Sequence, residues 1–163
     1  MRIEDTIRQE TREAMKNRDE VRLLVLRMLI SSLVSKEKEK RYELSKQGKE
    51  GRDLEASAQL TDEEVMAVVS SEAKKRRESA AAFEKGGRKE LADKEREELK
   101  VLEAHLPAQM SEEEIRAEVA KAIGASGALG PQDMGKVMTQ LMGSLKGRAD
   151  GALVSKIVKE LLA

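Results

Sequence analysis

The chain reads as an all-α protein, and three observations say so. Only two of its residues are aromatic, Tyr42 and Phe83, so any core must be aliphatic, built from Leu, Val, Ile, Ala and eight Met. Charged residues make up 38% of the sequence and prolines number two, a composition suited to long solvated helices and poor in the β-branched and aromatic runs that strands need. Apolar residues recur three and four positions apart, the period of one face of an α-helix. The expected architecture is an N-terminal helical subdomain of about four helices over residues 1–107 and a small C-terminal three-helix bundle over residues 111–163.

Ile3, Ile7, Ala14 and Met15 mark a first amphipathic helix. After the break at Asn17-Arg18-Asp19, Asp19 can accept a hydrogen bond from a backbone N–H of the next helix. That helix carries a wide apolar stripe from Leu23 to Val34 and is expected to be the most buried. From about residue 42 to residue 60 the periodicity dissolves among Lys, Glu, Gln, Ser and Gly, which predicts a fraying helix end and a mobile loop. Thr61-Asp62-Glu63-Glu64 is a capping box, in which Thr61 and Glu64 satisfy each other's backbone donors. Val65, Val68, Val69, Ala73, Ala80 and Phe83 continue that helix to Gly86-Gly87. A further helix with Leu91, Leu99, Leu102 and Leu106 ends at Pro107.

Ser111-Glu112-Glu113-Glu114 repeats the capping signature and opens the second subdomain. Its first helix bears Ile115, Val119, Ala122 and Ile123 and is expected to break at Gly124, Gly127 and Gly130. Pro131 suits a first helical position, and Asp133 favours the positive end of the helix after it. Met134, Val137, Met138, Leu141 and Met142 share a face of that helix, with Gly143 expected to close it. Asp150 caps the last helix, with Leu153, Val154, Ile157, Val158, Leu161 and Leu162 as its stripe.

Catalytic chemistry finds few candidates. No cysteine is present, which excludes disulfides, thiolate zinc sites and cysteine nucleophiles, and the single His105 has no second histidine to join it at a metal. A histidine at a helix C-terminus fits a structural role against the helix dipole. The glycines spell neither a P-loop nor a dinucleotide fingerprint. No catalytic residue, metal or cofactor is expected. Neither a leader segment nor a membrane span is visible, since the Leu23 to Val34 stretch is short and interrupted by Arg27, Ser31 and Ser32, and a cytoplasmic protein is expected.

Binding is better represented. Lys plus Arg and Asp plus Glu each number 31, so attraction to polyanions must come from local patches and not from the whole molecule. Residues 121–163 hold six cations against three carboxylates. Within them Lys136, Lys146, Gly147, Arg148 and Gly151 gather at turns, where a bare backbone beside a helix N-terminus could receive a phosphate. The competing reading is structural: Asp150 as a cap, the glycines as turn formers, Arg148 paired with a nearby carboxylate. Lys74-Lys75-Arg76-Arg77 and Arg88-Lys89 form a second basic group with Lys75, Arg76 and Arg88 as candidate RNA contacts, but nearby Glu72, Glu78 and Glu84 favour a salt-bridged surface.

Five ordered motifs carry a resemblance over nearly the whole chain. They are Leu23–Leu29 (LLVLRML), Lys75-Arg76-Arg77-Glu78-Ser79 with Phe83-Glu84-Lys85-Gly86-Gly87-Arg88, Leu106-Pro107-Ala108-Gln109-Met110-Ser111, Asp133-Met134-Gly135-Lys136-Val137-Met138, and Lys146-Gly147-Arg148-Ala149-Asp150-Gly151. The chain with these motifs resembles the YqeY family, which is similar to the C-terminal tail of the B subunit of tRNA-dependent amidotransferase. The resemblance implies an all-helical accessory module that handles tRNA, linked to a carbon–nitrogen ligase with glutamine as amido-N-donor but not catalytic alone. It implies tRNA as partner; neither a DNA nor a membrane partner is expected. A protein-interaction module docking on an amidotransferase subunit or an aminoacyl-tRNA synthetase through Met134, Met138 and Met142 is the alternative, with a purely core role for those methionines competing against it. His105, where many relatives have Tyr before Leu-Pro, and the long segment from about residue 41 to 60 depart from the family pattern.

Overall fold

Eight α-helices and one short 3-10 turn account for all the regular structure in the computed structural model, which describes residues 2–163. The chain divides into two units, one up to His105 and one from Leu106 onward.

The first unit holds α1 (Ile3–Asn17), α2 (Glu20–Lys46), α3 (Gly51–Ala58), α4 (Asp62–Lys85) and α5 (Lys89–Glu103). Helix α2 touches each of the other four and supplies Val25, Leu26, Leu29 and Leu33 to a core completed by Ile7, Leu60, Val65, Val69 and Leu102. Its stripe is only partly buried, however, because Val21, Leu24 and Met28 lie on the outward face with more than two fifths of their surface exposed. Asp19 caps α2 by accepting from the Arg22 N–H at 3.0 Å, and Thr61 and Glu64 form the complete reciprocal box at α4. Gly87, at φ 71°, makes the left-handed turn after α4.

The segment from residue 42 to 60 corrects the expectation of a mobile loop. Helix α2 continues to Lys46, and α3 begins after a turn of four residues. An eight-residue helix is marginal by itself. What holds α3 is burial: Ala58 and Leu60 retain only 2% of their exposure, and Lys40 donates to the Gln59 carbonyl oxygen at 2.9 Å. Such support comes from residues distant in sequence, so local periodicity did not show it. The unit accordingly has five helices, α3 being the one that local periodicity did not show.

The second unit is a three-helix bundle of α6 (Glu112–Ser126), α7 (Met134–Leu145) and α8 (Gly151–Leu162), with the 3-10 turn Pro131–Asp133 leading into α7. Each helix touches the other two around Ile115, Val119, Val137, Leu141, Leu145, Val154, Ile157 and Val158. Gly124 and Gly143 stay inside their helices; the true stop of α6 is Gly127, at φ 65°. Ser111 and Glu114 complete the second capping box.

Candidate nucleic-acid interface

The turn between α7 and α8 forms because α7 must stop where its last core residue, Leu145, is buried. Lys146 comes next as the C-cap in an extended conformation, and Gly147 takes φ 76°, a left-handed geometry that glycine enters without penalty. The Arg148 and Ala149 N–H groups then donate back to the Leu145 carbonyl oxygen at 3.0 and 3.1 Å. The segment just before α6 braces the turn from outside. The Met110 N–H donates to the Arg148 carbonyl oxygen at 2.8 Å, and the Gln109 side-chain amide donates to the Gly147 carbonyl oxygen at 2.8 Å. Lys146 and the Arg148 side chain are exposed on this braced turn.

The N-terminus of α8 is already occupied. Asp150 Oδ1 accepts from the Ala152 and Leu153 N–H groups at 2.7 and 3.3 Å, so its carboxylate stands where a phosphate would dock. Gly151, exposed at the first position of α8, therefore leaves the approach open without making an anion seat. Arg148 shares a shallow cleft with Glu114 and Glu118. The Ser111 backbone N–H and hydroxyl hold the Glu114 carboxyl below its usual range, and the Arg148 charge acts in the same direction.

Lys136 belongs elsewhere on the bundle. It sits in the first turn of α7 and donates from Nζ to the Ser126 carbonyl oxygen at 2.8 Å, satisfying a carbonyl at the C-terminal end of α6. Ten residues of helical rise, about 15 Å, separate it from Lys146 at the other end of α7. The structure therefore groups Lys146, Gly147 and Arg148 and sets Lys136 apart. Asp133 does not cap α7 but accepts from the Leu129 N–H at 2.9 Å, closing the loop before it. Met134 and Met138 pack against the core, and Met142 is 41% exposed.

In the first unit two of the three secondary candidates have structural partners. Lys75 pairs with Glu72 at 2.8 Å. Arg76 is clamped between Glu95 and Glu98 of α5 at 3.1 and 2.9 Å, with Nη2 3.4 Å from the Met28 sulfur. Its guanidinium holds α4 to α5 and is not presented to solvent as the sequence reading allowed. Arg88, the residue before α5, is exposed. Lys74 and Arg77 also face carboxylates, so the basic run is a salt-bridged surface.

His105 is nearly enclosed, its Nε2 3.3 Å from a Glu10 oxygen that Arg22 also contacts at 2.7 Å. Burial pushes its pKa below the ordinary value; Glu10 opposes and Arg22 reinforces that shift. This cluster, like the brace from Gln109, joins residues far apart in sequence and left no periodic signal. Among the described residues no helix is long and apolar enough to cross a membrane, and no group of three or more His, Asp or Glu is arranged to hold a metal ion.

No curated protein matches the chain in sequence. The family model described as Yqey-like protein matches residues 4–162, nearly the full length, and the chain therefore belongs to the YqeY family.

Proposed function

We propose that the protein is an accessory tRNA-binding module without catalytic chemistry of its own, contacting the sugar-phosphate backbone through the α7–α8 turn. The observation that carries this reading is the exposed Lys146-Gly147-Arg148 turn, held in one conformation by Met110 and Gln109. A cation on a braced turn loses little entropy when it meets a phosphate, and the absent Cβ of Gly147 lets the backbone approach closely. Lys136, about 15 Å away along α7, is a second contact for an extended backbone. The resemblance to the amidotransferase tail supports tRNA as the polyanion. Because few base-reading groups accompany these cations, recognition follows RNA shape and charge. The core positions of Met134 and Met138 leave little of the methionine face for docking on a protein.

The test is a tRNA titration of the wild-type chain and of Lys146→Ala/Arg148→Ala. An affinity loss of about tenfold, from two lost phosphate contacts, is expected in the double variant. Unchanged affinity, with the helical circular-dichroism signal intact, overturns the assignment. A partner protein that remains bound after nuclease treatment, with no tRNA affinity, replaces the reading with protein docking.

A further inference from the structure

Of the two aromatic side chains in this chain, Phe83 is half-buried whereas Tyr42 is 61% exposed on the C-terminal half of α2. The Tyr42 ring adds nothing to the core. Nor does it belong to an apolar patch, since the other exposed large hydrophobic residues of α2, Val21, Leu24 and Met28, lie more than three turns before it. Its neighbours along the same helix face are Lys38 and Lys46, four residues to either side, and Glu39 and Ser45, three residues away, and the ring lines a cleft with Lys36, Glu39, Lys40, Glu43 and Glu64. The Lys46 ammonium lies 4.3 Å from the ring centroid.

The other cations nearby are engaged elsewhere. Lys40 binds Glu64 at 2.6 Å and the Gln59 carbonyl oxygen, and Arg41 pairs with Glu55, so together they fasten α2 to α3 and α4. Lys38 makes no ion pair among the described residues, whereas Lys46 pairs with Glu43 at 3.9 Å and lies over one face of the ring. Residues 36–49 hold six Lys or Arg against three Glu, an excess in a chain whose charges balance overall. An exposed ring flanked by exposed cations is an arrangement by which single-stranded nucleic acid is held: the free face of the ring stacks on a base and the cations meet phosphates on either side. Lys38 and Lys46 stand about 12 Å apart along α2, wide enough to straddle one stacked nucleotide.

We propose that Tyr42, with Lys38 and Lys46, is a stacking site for an unpaired base of RNA, a further contact separate from the α7–α8 turn. It rests on reading the protein as an RNA binder and extends that reading from backbone charge to base stacking. A protein ligand is disfavoured by the polar surroundings of the ring.

Because Tyr42 is the only tyrosine, the full-length chain labelled with 3-fluorotyrosine gives one fluorine resonance. It is titrated with a short unstructured RNA oligonucleotide and with an abasic oligomer of equal charge. The expected result is a resonance shift with the RNA and none with the abasic oligomer, retained in Lys146→Ala/Arg148→Ala. Tyr42→Ala is expected to weaken oligonucleotide binding about tenfold by fluorescence anisotropy, and Tyr42→Phe to restore it. Equal shifts with both oligomers, or unchanged binding by Tyr42→Ala, overturn the stacking site while tRNA binding through the α7–α8 turn stands. Absence of binding to any RNA overturns both.

Discussion

Gly147 shows how one backbone angle positions the candidate site. At φ 76° an alanine must enter the left-handed region, whereas Pro107 Cγ lies a comfortable 4.0 Å from where its Cβ would stand. Gly147→Ala is therefore expected to destabilise by about 1–2 kcal/mol through conformation alone, read as a lower Tm. Gly147→Asn, which tolerates this region better, should fall between the two. His105 makes the second prediction at this scale. Its folded pKa lies below its ordinary 6.5, so beneath pH 6.5 the unfolded chain binds more protons than the folded one. The stability owed to the neutral buried imidazole is thus complete above that value and declines as pH falls toward the folded pKa. Urea denaturation at pH 7.5 and 5.5 should show a larger loss for wild type than for His105→Phe; equal losses would refute a neutral buried imidazole.

Arg76 is the clearest case at the scale of elements, because it decides how α4 meets α5. Glu98 is 4% exposed, and removing its cation leaves a buried carboxylate without compensation. Arg76→Ala should cost about 3–5 kcal/mol in urea denaturation. By contrast Arg77→Ala, which breaks a more exposed pair with Glu103, should cost about 0–1 kcal/mol. Similar losses in the two variants would contradict the clamp. The sequence showed four basic residues in a row with no means of ranking them. Only the packing of α5 separates the buried cation from the solvated ones.

Across the whole molecule, cations and carboxylates balance, so affinity for a polyanion depends on a few placed contacts. The slope of log affinity for tRNA against log salt should become less steep by about 1.4 to 1.8 in Lys146→Ala/Arg148→Ala, from two phosphate contacts. An unchanged slope would mean that these side chains touch no phosphate. The two units contribute different contacts to the proposed binding, the α7–α8 turn from one and the exposed face around Tyr42 from the other.

The sequence by itself determined local features. The caps at Asp19, Thr61, Ser111 and Asp150 each act within three residues, and the helical repeat of aliphatic residues needs only its own turn to be recognised, so the all-α class and most helix starts were legible. The glycines were less so, because Gly124 and Gly143 remain helical where packing supports them while Gly127 and Gly147 turn. Tertiary structure alone decided that α3 forms, that Arg76 is a buried clamp, that Lys136 is tied to the end of α6, and that Gln109 braces the α7–α8 turn. Each depends on partners brought together from separate elements by burial of the core, and a pattern three or four residues long carries no record of such meetings.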